Sequence, residues 1–144
     1  MKKLLLTFAI ASLGAVQSGA QVSTPPPPPA TLSPADAEYK AARDRIAADS
    51  KSAKAQCDTM KGNAKDVCVE EAKGKEKIAK AELDQQRKPS DSNARKVTEA
   101  TVEAAYNVAK KKCGAHKGDA KTACVKQAKA EETKEKAEIK AMKK

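Results

Sequence analysis

Tryptophan is missing from all 144 residues, and the aromatic side chains stop at Phe8, Tyr39 and Tyr106. Bases and sugars therefore find almost nothing to stack on, which removes the usual single-strand nucleic-acid platform. Histidine occurs once, at His116, so most acid–base and nucleophilic machinery is missing too. No glycine-rich phosphate loop is present, and the four cysteines stand eleven residues apart in two pairs. Thiol redox catalysis wants a closer pair, commonly Cys-x-x-Cys. Leu, Ile, Val and Phe make up roughly a tenth of the chain beyond residue 20, well under what a thick globular core needs. These shortages make an enzyme the poorest class for this chain, and no cofactor is expected.

Alanine and lysine fill the space. Alanine has the highest helix propensity, and the lysine, glutamate and glutamine interleaved with it are also good helix formers. The expected product is an all-α protein whose helices have narrow, shallow apolar faces. Net charge is +10, of which Lys2 and Lys3 carry two units. Lysines alternate with acids along the chain, so the plainer reading is a solvated surface. The excess of positive charge also suits a polyanion.

The N-terminus reads as an export signal. Lys2 and Lys3 precede the apolar run Leu4–Ala11, and small residues follow to Ser18-Gly19-Ala20. Basic start, short apolar segment and small residues before the cut place cleavage between Ala20 and Gln21. No cysteine follows to take a lipid. Pro25 to Pro29 hold an extended spacer, assigned to residues 21–32. With no second apolar segment, nothing is expected to span a membrane after cleavage, and the expected compartment is the periplasm or the outside.

A shift of 56 residues lays Cys57-Asp-Thr-Met-Lys61-Gly62-Asn63-Ala64-Lys65-Asp-Val-Cys68-Val69 over Cys113-Gly-Ala-His-Lys117-Gly118-Asp119-Ala120-Lys121-Thr-Ala-Cys124-Val125. Shared cysteine spacing around a shared centre marks an internal duplication. Each copy, 33–88 and 89–144, reads as helix, turn, helix. Ser33-Pro34-Ala35-Asp36 is a helix start, with serine as cap, proline in the first turn and an acid behind it. Tyr39, Ala42, Ile46, Ala53, Cys57 and Met60 then recur on one helical face. Gly62 suits the left-handed position that ends a helix, and Asn63 suits the cap of the next. Ala64, Cys68, Ala72, Ala79 and Leu83 follow on one face, with Glu71→Lys75 and Glu76→Lys80 spaced for ion pairs. Lys88-Pro89-Ser90-Asp91-Ser92 breaks the chain. The second copy repeats the plan with Val97, Ala104 and Val108, a Gly118-Asp119 turn, then Cys124, Ala128 and Ile139.

An even cysteine count in an exported chain points to disulfides. Residues equidistant from a hairpin turn face each other, which favours Cys57–Cys68 and Cys113–Cys124, each stapling one turn. Unbroken helices would instead put Cys57 and Cys68 about 16 Å apart on one face. That arrangement allows crossed pairs, Cys57 with Cys124 and Cys68 with Cys113. Cys113-Gly-Ala-His116, with Cys124 nearby, has half of a zinc-site spacing. Met60 replaces the histidine in the first copy, and no metal is assigned.

The chain resembles small exported proteins of betaproteobacteria, such as Burkholderia relatives, which carry duplicated Cys-x10-Cys units around a Gly-Asn-Ala-Lys centre. They are commonly labelled TolA-like cell-envelope proteins. The resemblance covers roughly residues 33–140 and rests on Lys61–Lys75 and its copy at Lys117–Lys129. TolA itself differs in keeping an N-terminal membrane anchor, a longer rod and a globular C-terminal domain. The resemblance implies an envelope location and a helical fold, and no activity. The expectation is two tandem disulfide-stapled helical hairpins, four helices in an elongated form, with thin alanine-rich interfaces. The expected role is structural or adaptor-like, with envelope proteins or anionic envelope polymers as partners and no nucleic acid.

Overall fold

The computed structural model describes residues 33–142. The export signal, its Ala20/Gln21 cleavage point and the proline-rich spacer lie outside the described residues. Four long helices account for nearly all of the rest, and no strand occurs among the described residues: α1 (Pro34–Cys57), α2 (Gly62–Arg87), α3 (Asp91–Lys112) and α4 (Gly118–Ala141). At 1.5 Å per residue each is about 33–39 Å long.

Local sequence sets where the helices begin and end. The Ser33 hydroxyl accepts the Asp36 amide at 3.2 Å and donates to the Asp36 carboxylate, with Pro34 in the first turn. Ser90 does the same capping work for α3, accepting the Asn93 amide at 3.1 Å. The two hairpin turns are copies of one another. The Met60 amide donates to the Cys57 carbonyl at 3.0 Å, and the His116 amide to Cys113 at 3.1 Å. Gly62 and Gly118 both have positive φ, +60° and +55°, a conformation that costs other residues the clash of a Cβ.

Two details differ from expectation. Gly62 and Gly118 open the second helix of each hairpin and do not close the first. Asn63 and Asp119 consequently fall inside the first turn, and the cap positions belong to Lys61 and Lys117, which have no side-chain acceptor to offer. Met60, placed on the apolar face of α1, lies beyond its end and is exposed.

α2 packs against both α1 and α3, and α4 packs against α3. The helices therefore stand in an antiparallel row one helix thick, with α1 and α4 at its edges. At the base of the first hairpin Tyr39 donates to the Asp84 carboxylate, and Arg87 stacks 4.3 Å from the Tyr39 ring centre while pairing with Asp36. This latch ties the free ends of α1 and α2 together.

Gly74 is what lets the two hairpins meet. A Cβ built there would stand 2.8 Å from Ala104 Cβ, too close for any real pair. Ala72, Ala100 and Ala104 are buried beside it, so α2 and α3 approach through their smallest side chains. Ile78 and Val108 line a groove along this seam. At the edges of the row, the 56-residue equivalents of Gly74, Ile78, Ala104 and Val108 are Ala130, Lys134, Ala48 and Ser52, all exposed. Lysine and serine replace the two aliphatics on the faces against which no other helix packs among the described residues, as on the polar outer face of terminal repeats.

Candidate functional site

The disulfides join Cys57 to Cys68 and Cys113 to Cys124, each with Cα atoms 5.6 Å apart. The crossed pairing is thereby ruled out, because each cysteine finds its partner across its own turn. Cys57 and Cys113 are the largest fully buried side chains among the described residues, each 1 % exposed. Sulfur, not leucine or phenylalanine, occupies the tightest point of each hairpin. With both thiols of the second copy spent in a disulfide, Cys113, His116 and Cys124 offer no thiolate to a metal. His116 is exposed in the turn.

Two carboxylates inside the hairpins hold more than sequence suggested: Glu76 was expected only to pair with Lys80, and Glu132 was not singled out. Glu76 accepts from Lys80 one turn along α2 (2.6 Å) and, across the α1–α2 contact, from Ser50 (2.6 Å) and Lys54 (2.9 Å). Those bonds, from Lys80 first, then Ser50 and Lys54, hold its carboxyl at about 2, against the opposing effect of burial. Glu132, its equivalent in α4, is buried and bonded to Lys129 (2.7 Å) and Lys136 (2.6 Å). These lower its pKa as well, the Lys129 bond most. The readable signal was the repeated Glu-x-x-x-Lys spacing, 76–80 and 132–136. Of the two expected pairs in α2, Glu76–Lys80 forms, while Glu71 turns instead toward Lys112 of α3 at 3.8 Å.

Both carboxyls sit below their unfolded value, so the stability they supply is complete above the ordinary glutamate range. It is lost as pH falls below about 4.5, for Glu76 down to about 2. For Glu76 the shift amounts to about 2 kcal/mol after allowance for solvent screening. Helicity followed by circular dichroism should fall over this acid range, and Glu76→Gln should flatten the fall. An unchanged acid profile in Glu76→Gln would remove Glu76 from this role.

The antiparallel order brings both disulfide turns to one end of the row, and there the two copies differ sharply in charge. Residues 51–71 hold four lysines (51, 54, 61, 65) against Asp58, Asp66, Glu70 and Glu71. The equivalent stretch, 107–127, holds Lys110, Lys111, Lys112, Lys117, Lys121 and Lys126 against Asp119 alone. All six are exposed. In the first copy Lys65 pairs with Asp58 at 2.9 Å; the second copy has Gly114 in place of that acid. Lys110, Lys111 and Lys121 line a cleft with Asp66 and Glu70 of α2, and Lys112 lies in the separate groove beside Glu71. Lysines alternate with acids over most of the chain but not over 107–127, and the fold sets these six around one turn.

Among the described residues no helix is long and apolar enough to cross a membrane, and the two disulfides fit an oxidising compartment. No protein-family model matches the chain, and neither does any curated protein or solved structure.

Proposed function

We propose that the chain is a non-enzymatic helical protein of the bacterial cell envelope, exported to the periplasm or beyond, with a structural or adaptor role. The observation that carries this reading is the one-helix-thick row. Such an arrangement displays long helical faces and edges to other molecules and encloses very little. Disulfide staples suit a compartment in which thiols oxidise.

The test is photo-crosslinking in living cells. A photoreactive side chain is placed at Ala48 on the α1 edge, Ala105 on a broad face and Ala130 on the α4 edge, all exposed. The expected result is a discrete adduct from at least one position, in an envelope fraction whose protein begins at Gln21. A cytoplasmic protein that retains residues 1–20, or three positions without any adduct, would overturn the reading.

A second reading, a binder of anionic envelope surfaces or polymers, is favoured by the six lysines around the second turn. Binding that weakens steeply with added salt would support it.

A further inference from the structure

We infer that the turn end of the second hairpin docks a linear, phosphate-bearing polymer, with Lys111, Lys112, Lys117 and Lys126 as principal contacts. The inference rests on the polyanion reading above, and names its place and its partner.

The duplication supplies an internal control. The first hairpin makes the same turn, the same disulfide and the same left-handed glycine without the surplus charge. At the positions of Lys111, Lys112 and Lys126 it carries Ala55, Gln56 and Glu70. Folding therefore does not require these lysines. Lys112 has Glu71 at 3.8 Å, and Asp66 and Glu70 share the cleft of Lys110, Lys111 and Lys121. Even so, the surplus of like charge around one turn opposes folding by mutual repulsion. A partner of opposite charge removes that cost.

The chemistry at the tip suits phosphate. The first amides of α4 point out of the same end, and Lys117 at the cap position gives them no side-chain acceptor. Phosphate oxygens accept both from such amides and from ammonium groups. A polymer fits the distribution better than a lipid surface does. Lys111 and Lys112 belong to separate clefts, Lys117 stands at the tip, and Lys126 lies on α4. A flexible strand wraps such a knob, whereas a bilayer touches one side of it. Among the described residues the exposed large apolar side chains are Met60 and Met142, neither of them in this turn, so this turn offers no large apolar side chain to a lipid layer.

The experiment titrates the full exported chain with long-chain polyphosphate at a series of salt concentrations, beside phosphatidylglycerol vesicles. The variant K111A/K112Q/K126E installs the residues that the first hairpin already uses. Wild type should bind polyphosphate with an affinity that falls steeply with salt. The triple variant, with helicity and disulfides intact, should bind about tenfold or more weakly and with a shallower salt slope. Lys117→Gln at the exposed tip should weaken binding independently, which guards against a folding defect in the triple variant. Wild-type-like binding by both variants would place the polyanion elsewhere, overturning this inference and leaving the second reading intact. Binding to vesicles but not to polyphosphate would overturn the choice of partner. No binding by wild type would overturn both the inference and the reading beneath it, while leaving the adaptor proposal to its own test.

Discussion

With both disulfides reduced, the chain is expected to melt far below the oxidised protein and to be largely unfolded near 37 °C. Each bond closes a ring between residues eleven apart, which removes about 2–3 kcal/mol of chain entropy from the unfolded state. Two such rings together approach the whole net stability of a small domain, about 5–15 kcal/mol. Ordinary cores resist reduction because aliphatic side chains hold the fold by themselves. Here the buried apolar set is short, consisting of four alanines, Val102, Ile139 and two of the cysteines. Circular dichroism melts with and without reductant measure the effect. The double variants Cys57→Ala/Cys68→Ala and Cys113→Ala/Cys124→Ala divide it between hairpins, and each should lower the midpoint by about 10–20 °C. A reduced protein that melts like the oxidised one would mean that the alanine interfaces suffice. Peptide mapping under non-reducing conditions should show linkage within each copy and no Cys57–Cys124 species.

Gly74→Leu should be the most damaging single substitution in the seam between the hairpins. Even the first carbon of a side chain would stand 2.8 Å from Ala104 Cβ, and Ala104 cannot swing away because its Cβ is fixed to the α3 backbone. The helices must part, and the buried contact of Ala72, Ala100 and Ala104 loosens with them. Leucine gains a few tenths to about 1 kcal/mol in helix propensity over glycine, which offsets only part of the overpacking. A net loss of about 2 kcal/mol is expected, with hydrogen exchange accelerating in α2 and α3. The matched substitution Ala130→Leu, at the equivalent but exposed position on α4, should change stability by about 0.5 kcal/mol or less. Equal effects at the two sites would show that α2 and α3 do not meet at Gly74.

Some features were plain in the residues themselves. Ser33-Pro34 announced a helix start, and Gly62 and Gly118 announced turns, because capping and left-handed geometry depend on side chains within a few positions. The disulfide pairing was legible for a related reason: cysteines placed symmetrically about a turn meet whenever that turn forms. Asn63 misled because an asparagine after a glycine is a common cap, yet the positive-φ glycine opens α2 and pushes Asn63 one position inside. Gly74 was visible only as part of the Lys73-Gly74-Lys75 string. Its use as a point of close approach depends on which helix lies opposite, and no local pattern states that.

Charge followed the same division. The spacing of Glu76 and Lys80 foretold their ion pair, since one helical turn joins them. The third and fourth partners of that cluster, Ser50 and Lys54, come from another helix. Likewise the lysines of the second turn lie on both arms of the hairpin, Lys110-Lys111-Lys112 as an unbroken run on one arm and Lys117, Lys121 and Lys126 spaced beyond it, and the two sets become one group when the arms are brought together.

By itself, then, the sequence determined the helical class, the start of α1, the two turns and the staples across them. Propensity, capping and ring closure act over a few residues and need no distant partner. The order of the row, the α2–α3 seam and the gathering of lysines at one end were decided by tertiary structure. Alanine is spread around every helix, so hydrophobicity alone does not distinguish the face that will be buried. Close approach does, and it is possible where two backbones meet through glycine and alanine with no longer side chain between them.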